Sequence, residues 1–528
     1  MSERVLIYDT TLRDGMQREG LSLSAGEQLA VAVRLAEFGV HYLEAGFPAS
    51  NPKYGELFGL LEREDLGATR VAAFGMTRRR GVGASEDPAV RGLAECFAPV
   101  ITIVGKTWDL HLQKVIKVDR AENLRMIEES VAFLARQGKE VVYDAEHFFD
   151  AYLEHPDYAL DCLRAAEAGG ASWLTPCDTN GATLPNDVSR VIREVRAAIP
   201  GTRIGIHTHN DAECGVANSL AAIAEGARMV QGTINGYGER CGNANLISII
   251  PSLTLKMGFE TIDPEKLNEL TGLSHWVAET VNLQPDAWAA YVGRNAFAHK
   301  GGMHVAAMGA EVTSYEHIDP GLVGNERQML VSELSGRGTI LAKAREMGID
   351  VEDPGRVQAI LARLKDLEHQ GYHFEVADAS FELLLERETG LYEPLFVLES
   401  YRVSTEKRAD GHVETEATVK LVHQGERIVE VAEGNGPVNA IDRALRKALE
   451  GRVPELADID LVNFKVRILD ETKGTDAITR VLVESSDGHE RWGTIGVHAN
   501  VIEASWEALL DSLEHGVRRA ARSSAPAA

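Results

Sequence analysis

Cationic residues are in short supply. Fifty-four Lys and Arg stand against 80 Asp and Glu, a formal charge of −26. Phosphate contacts need clustered cations, and the longest basic run is Arg78-Arg79-Arg80, so neither nucleic acid nor anionic membrane is expected as a partner. Cysteine is sparse too. Cys96, Cys162, Cys177, Cys214 and Cys241 show no C-x-x-C and no paired spacing, which points to a reducing compartment rather than a disulfide framework. No apolar stretch approaches the roughly 20 residues of a membrane span. Residues 1–4 run straight into Val5-Leu6-Ile7-Tyr8, so no cleavable leader is expected. These absences predict an acidic cytoplasmic protein, and 528 residues at about 100–200 per domain predict two to four domains.

What is present has a rhythm. Val5–Asp9, His41–Ala45, Val71–Phe74, Val100–Val104, Glu140–Asp144, Trp173–Pro176, Arg203–His207 and Met229–Thr233 are short apolar, β-branched runs, each followed by a helix-period segment. Ser24-Ala25-Gly26-Glu27 reads as a capping box opening the first helix. Eight strand–helix units in about 250 residues predict an α/β fold, a TIM (β/α)8 barrel over residues 1–272. A doubly wound sheet would carry a Gly-rich first turn, whereas Asp9–Gly15 is polar and charged. Residues 273–398 are expected to form a helical linker region. Residues 399–528 contain a repeat: Ala444-Leu445 and Leu449 recur as Ala508-Leu509 and Leu513. Two ββα halves there predict a pseudo-symmetric α+β domain, with Gly-rich backbone at Gly434–Val438 and Gly474–Ala477 open to a small ligand.

In such a barrel, chemistry collects where the strands end at their C-terminal side. Arg13 and Asp14 follow the first run, Glu146 the fifth, Asp178 and Thr179 the sixth; His207 and His209 end the seventh, and Asn243 lies in the eighth loop. An H-x-H on a strand aims both imidazoles to one side. Two His with a carboxylate suit a divalent ion with open positions, so Asp14, His207 and His209 are the expected ligands, with the amide oxygen of Asn243 as a fourth. That chemistry admits Zn, Mn or Mg. Arg13 is placed to offset negative charge developing on an oxygen.

Three motifs together carry a resemblance: Asp9-Thr10-Thr11-Leu12-Arg13-Asp14-Gly15-Met16-Gln17, the His207/His209 pair, and Gly238-Glu239-Arg240-Cys241-Gly242-Asn243-Ala244-Asn245. The chain resembles the 2-isopropylmalate, homocitrate and citramalate synthases, metal-dependent acyltransferases on a TIM barrel. The likeness runs through Tyr315–Pro320 and the C-terminal repeat, which is similar to that family's allosteric dimerisation domain. Glu44–Lys53, Tyr143–Asp150 and Thr175–Pro185 are most similar to the citramalate branch.

The resemblance implies a Claisen-type condensation of acetyl-CoA with a 2-oxo acid, pyruvate on the citramalate branch, in isoleucine biosynthesis. It implies Glu146 in substrate orientation or proton transfer and Thr179 on the oxo-acid carboxylate. Gln17 and Tyr143 are also expected at the substrate, with Phe74 and Tyr143, bulky residues near the ends of the third to fifth strands, filling the space an isopropyl group would need. His304 and Tyr315 would act from the helical region. Some relatives carry an acidic residue two positions after His304, where this chain has Ala306. A homodimer with isoleucine as effector completes the expectation. Its rivals are a 2-isopropylmalate synthase acting on 2-oxoisovalerate and a lyase on the same barrel. Gly236–Gly242 lacks the Gly-Gly and Pro of the related lyase loop.

Overall fold

Strands β1 (Leu6–Asp9), β2 (Tyr42–Gly46), β3 (Arg70–Met76), β4 (Val100–Lys106), β5 (Glu140–Glu146), β6 (Trp173–Asp178), β7 (Arg203–Thr208) and β8 (Met229–Gly232) are parallel, and β8 pairs back onto β1 to close a barrel. They coincide with the eight apolar runs to within two residues at either end. The computed structural model describes residues 3–48, 50–300, 304, 307–308, 310–329, 331, 337–351, 353–469 and 476–523.

Alternation along each strand divides the residues between two environments. Tyr8, Tyr42, Ala72, Val100, Val142, Trp173 and Met229 fill the lumen. Their sequence neighbours, among them Ile7, Leu43, Val71, Ile101, Val141, Leu174 and Val230, pack outward in the large core that also takes in the surrounding helices. The helix Ala25–Phe38 opens on the expected capping box: Ser24 Oγ accepts from Glu27 N at 3.3 Å, and the Glu27 carboxylate accepts from Ser24 N at 2.7 Å. Left-handed Gly39 closes it.

The chain divides into two compact units, Met1–Phe297 with His317–Arg327, and Ala298–Glu316 with Gln328–Ala528. The stretch expected as a helical linker is therefore shared between them. In the second unit, the two-residue strands β9 (Ala298–His299) and β10 (Gln328–Met329) pair in parallel. Helices Arg337–Glu346, Pro354–Gln370 and Asp378–Thr389 follow. Their apolar residues, including Ile340, Ile360, Leu364 and Leu385, close over Ile495 and Val497, so they share a core with the repeat domain.

That domain holds β11 (Val397–Lys407), β12 (Val413–His423) and β13 (Glu426–Gly434) before the helix Pro437–Leu449, then β14 (Asp460–Ile468), β15 (Thr479–Ser486) and β16 (Arg491–His498) before the helix Val501–Ser523. Each half is the expected ββα unit with one further strand in front. Of the two Gly-rich segments, Gly434 lies so close to the following helix that a Cβ would stand 2.5 Å from Ala440 N; Gly474 lies outside the described residues. Among the described residues no helix is long and apolar enough to cross a membrane.

Candidate metal centre and active site

The first turn is tied down by Asp9, whose carboxylate accepts from Thr11 N and Thr11 Oγ1, both at 2.9 Å. This sets Arg13 and Asp14 at the barrel mouth. Asp14 Oδ2 lies 3.4 Å from His207 Nε2 and 3.8 Å from His209 Nε2. All three residues are buried, and their ligand atoms lie within 4.8 Å of one another.

Asn243 joins them from the eighth loop through a bridge to His209. Its Nδ2 donates to Tyr237 O at 3.2 Å, while its Oδ1, like His209 Nδ1, is buried without a hydrogen-bond partner. Native interiors rarely leave a buried acceptor unpaired. An orphaned amide oxygen beside a carboxylate and two imidazoles is a donor set that fits a small divalent cation. The loop bringing it there turns at Gly242 (φ +95°), where a Cβ would stand 2.0 Å from Gly236 O.

Electrostatics favour the same reading. Burial alone would raise the Asp14 carboxyl, but Arg13, His207 and His209 outweigh it and hold it below the usual range. Burial, reinforced by His209, pushes His207 down to about 4, and burial lowers His209 too. The candidate ligands are thus an ionised carboxylate and two neutral imidazoles, the forms a metal would require.

Arg13 spans two carboxylates. Its Nε donates to Glu44, and its Nη1 lies 3.4 Å from Asp14 Oδ2. The guanidinium sits 4.1 Å from the Phe74 ring centroid. Burial opposes the charge, but Asp14 and Glu44 raise the pKa still further. Tyr8 OH donates to Glu44 at 3.0 Å from below.

A second group forms where β4 and β5 end. Lys106 and Glu146, in register across the two strands, form an ion pair. His111, Glu146 and His147 bring ligand atoms within 4.8 Å of one another, but the Lys106 ammonium already occupies Glu146, so this is an ion-paired network rather than a second cation site. His147, in a left-handed conformation (φ +56°), donates its N–H to Thr179 Oγ1 at 2.8 Å and places Nδ1 3.0 Å from Asp150 Oδ2.

Of the residues singled out from sequence, Arg13, Asp14, His207, His209 and Asn243 come together, and Glu146 and Thr179 meet around His147. Gln17 is exposed at the end of the short turn Gly15–Gln17. Tyr143 is a correction. It lies one residue out of phase with the lumen, fully buried in the outer core, its hydroxyl so near Gly105 that a Cβ there would stand 2.6 Å away; it cannot border a ligand in the lumen. His304 and Tyr315 belong to the second unit, where their rings stack 4.1 Å apart; Ala306 lies outside the described residues. Cys177 is no ligand: its Sγ donates to Thr175 O at 3.3 Å, and burial pushes its thiol far up.

Residues the sequence reading assigned no role include Glu44, Lys106, Asp144 and Gln231. Each lies an even number of residues from a lumen-filling neighbour (Tyr42, Val100, Val142, Met229), so strand phase was the signal that marks them.

Comparison with known proteins places these features in context. Residues 4–274 match the HMGL-like family model, 291–372 the homocitrate synthase post-HMGL domain-like model, and 375–517 the LeuA allosteric (dimerisation) domain. An (R)-citramalate synthase of Aquifex aeolicus is 49% identical over 97% of this chain and 98% of its own. One from Synechocystis sp. is 49% identical over 97% and 96%. A 2-isopropylmalate synthase of Pelotomaculum thermopropionicum is 32% identical over 97% and 98%.

Proposed function

We take as premise that this chain belongs to the HMGL-like family and, within it, to the (R)-citramalate synthases, and we propose that it condenses acetyl-CoA with pyruvate and water to give citramalate and free CoA. Near-full-length identity of 49% to citramalate synthases, against 32% to a 2-isopropylmalate synthase, carries this reading.

Asp14, His207, His209 and Asn243 would hold a divalent ion, Zn, Mn or Mg. When bound, such an ion supplies a Lewis acid that polarises the keto group of a chelating 2-oxo acid. The chain's own residues do the rest. Arg13, fixed by Glu44 and stacked on Phe74, holds positive charge beside Asp14, where the keto oxygen gains negative charge as the new C–C bond forms. Phe74 lies under that guanidinium and gives the methyl of pyruvate an apolar floor. Glu146, clamped by Lys106, is held ready to orient substrate or carry a proton, and Thr179 offers its hydroxyl to the oxo-acid carboxylate. Gln17 reaches substrate from the mouth. His304 and Tyr315 remain the proposed partners in proton transfer to and from the acetyl group.

The match of residues 375–517 to an allosteric dimerisation domain supports a homodimer with an amino-acid effector; we assign isoleucine, the end product of the route that citramalate would feed. The deciding assay is thiol release from acetyl-CoA in the presence of pyruvate, 2-oxobutyrate, 2-oxoisovalerate or 2-oxoglutarate. Pyruvate is expected to give the highest kcat/KM. A higher value for 2-oxoisovalerate would make the enzyme a 2-isopropylmalate synthase, and no thiol release with any oxo acid would favour a lyase.

A further inference from the structure

Gln231 does something that neither ligand binding nor packing requires: it crosses the lumen. From β8 its Oε1 meets His207 Nδ1 at 2.9 Å, and its Nε2 donates to Asp144 Oδ1 on β5, also at 2.9 Å. All three residues are buried, Gln231 completely. His207 is its register neighbour on β7, but β5 lies on another part of the barrel wall.

The chemistry of this chain of bonds has one consistent direction. With Asp144 Oδ1 accepting, as it does when the carboxyl is ionised or holds its proton on Oδ2, the amide NH2 of Gln231 faces Asp144 and its carbonyl faces His207. A carbonyl can only accept, so the His207 proton belongs on Nδ1. That leaves Nε2 bare, on the side where Asp14 lies 3.4 Å away. A free neutral imidazole prefers its proton on the other nitrogen, Nε2, which would block coordination. His209 Nδ1, by contrast, has no partner.

We propose that Asp144 and Gln231 are positioning residues of the metal centre, an outer-shell relay that holds His207 in its metal-competent tautomer. This rests on the reading of Asp14, His207 and His209 as ligands. Outer-shell partners of metal-bound His typically matter by 10–100-fold in affinity, and two residues acting in series should not multiply their effects.

The test uses the full-length protein stripped of metal and titrated with Zn2+ or Mn2+ against a chromophoric chelator. Gln231→Met is expected to weaken binding by about 10–100-fold. Asp144→Ala is expected to weaken it as well, and the double variant to be no worse than Gln231→Met by more than about twofold. The exchange Gln231→Glu/Asp144→Asn keeps one carboxylate and one amide in the lumen, with Glu accepting from His207 and Asn donating to Glu. It should restore affinity to within about twofold of wild type and carries the test should Gln231→Met fail to fold. Nitrogen-15 spectra of histidine-labelled, metal-free protein supply a readout that a purely structural role would not move: Nδ1–H for His207 in wild type, with Nε2–H appearing in Gln231→Met. Wild-type affinity in Gln231→Met, multiplied losses in the double variant, or a weak exchange variant would each overturn the relay. Wild-type protein that binds neither ion would overturn the metal reading itself.

Discussion

Arg13→Lys separates what Arg13 does for turnover from what it does for the fold. The guanidinium engages Glu44 through Nε, stands 3.4 Å from Asp14 and covers Phe74. Lysine keeps the charge but has one compact ammonium, which cannot hold both carboxylates and lie flat on a ring. Because the charge stays, the roughly 3–5 kcal/mol penalty of leaving buried carboxylates unpaired is avoided. What is lost is about one charge-assisted hydrogen bond, about 1.5–3 kcal/mol, and the melting temperature should fall without unfolding the protein at 25 °C.

Turnover should suffer more. Losing one donor at the developing oxyanion lowers kcat by about 10²–10³. Thiol release under saturating acetyl-CoA and pyruvate, with the folded fraction followed by circular dichroism, reads both effects on one sample. Arg13→Ala should lose stability and activity together, since it strands Glu44 and Asp14. If Arg13→Lys keeps kcat within about threefold of wild type, or loses activity only in step with its folded fraction, the assignment to transition-state charge is wrong and Arg13 is a structural ion-pair partner.

His207→Ala, His209→Ala and Asp14→Asn should each lose bound divalent metal and turnover together; elemental analysis finding full occupancy in all three would reject the donor set. Because burial and His209 hold His207 at about 4, protons should not compete for it near neutrality. Metal occupancy should stay level from pH 8 to about 5 and drop only as the imidazole takes up its proton; complete loss by pH 6.5 would contradict the buried, neutral imidazole. Phe74→Ala should improve kcat/KM for 2-oxobutyrate relative to pyruvate by about tenfold, the worth of one methylene in an apolar pocket; an unchanged ratio would place the methyl of pyruvate elsewhere.

The barrel was legible because its strands are buried on both faces and therefore read as unbroken apolar runs between amphipathic helices. That same property hid the phase. In Val141-Val142-Tyr143-Asp144 no alternation of polarity says which side faces the lumen, so the sequence offers Tyr143 for the ligand side as readily as Asp144. The metal set survived this ambiguity, because H-x-H keeps its two members in phase whatever the phase is. In the repeat domain the strands β11 and β14 were missed for a different reason. Val397, Val462, Val466 and Ile468 are exposed on strands that bury little of either face, so the periodicity marks no buried face. Gln231 and Asp144 had no motif at all: their meaning arises only when the curl of the barrel brings β8 within reach of β5 across the lumen.

Charge in the lumen then explains why this arrangement calls for a cation. Asp14 and Glu44 place two negative charges against the single guanidinium of Arg13, and the neutral imidazoles add none. Burial, reinforced by Glu44, lifts the Asp144 carboxyl to about 8, so near neutrality it keeps its proton and adds little further charge. One net negative charge in a low-dielectric interior is costly. A divalent ion among Asp14, His207 and His209 reverses it to one net positive charge, which the carboxylate of a 2-oxo acid then neutralises. A monocarboxylate such as pyruvate balances the site, whereas the second carboxylate of 2-oxoglutarate would need a further free cation. Lys106, the lysine on the lumen side of β4, is already taken by Glu146. On the proposed function, selection against dicarboxylates would follow from the charge the lumen holds, while selection among monocarboxylates would fall to the apolar floor at Phe74.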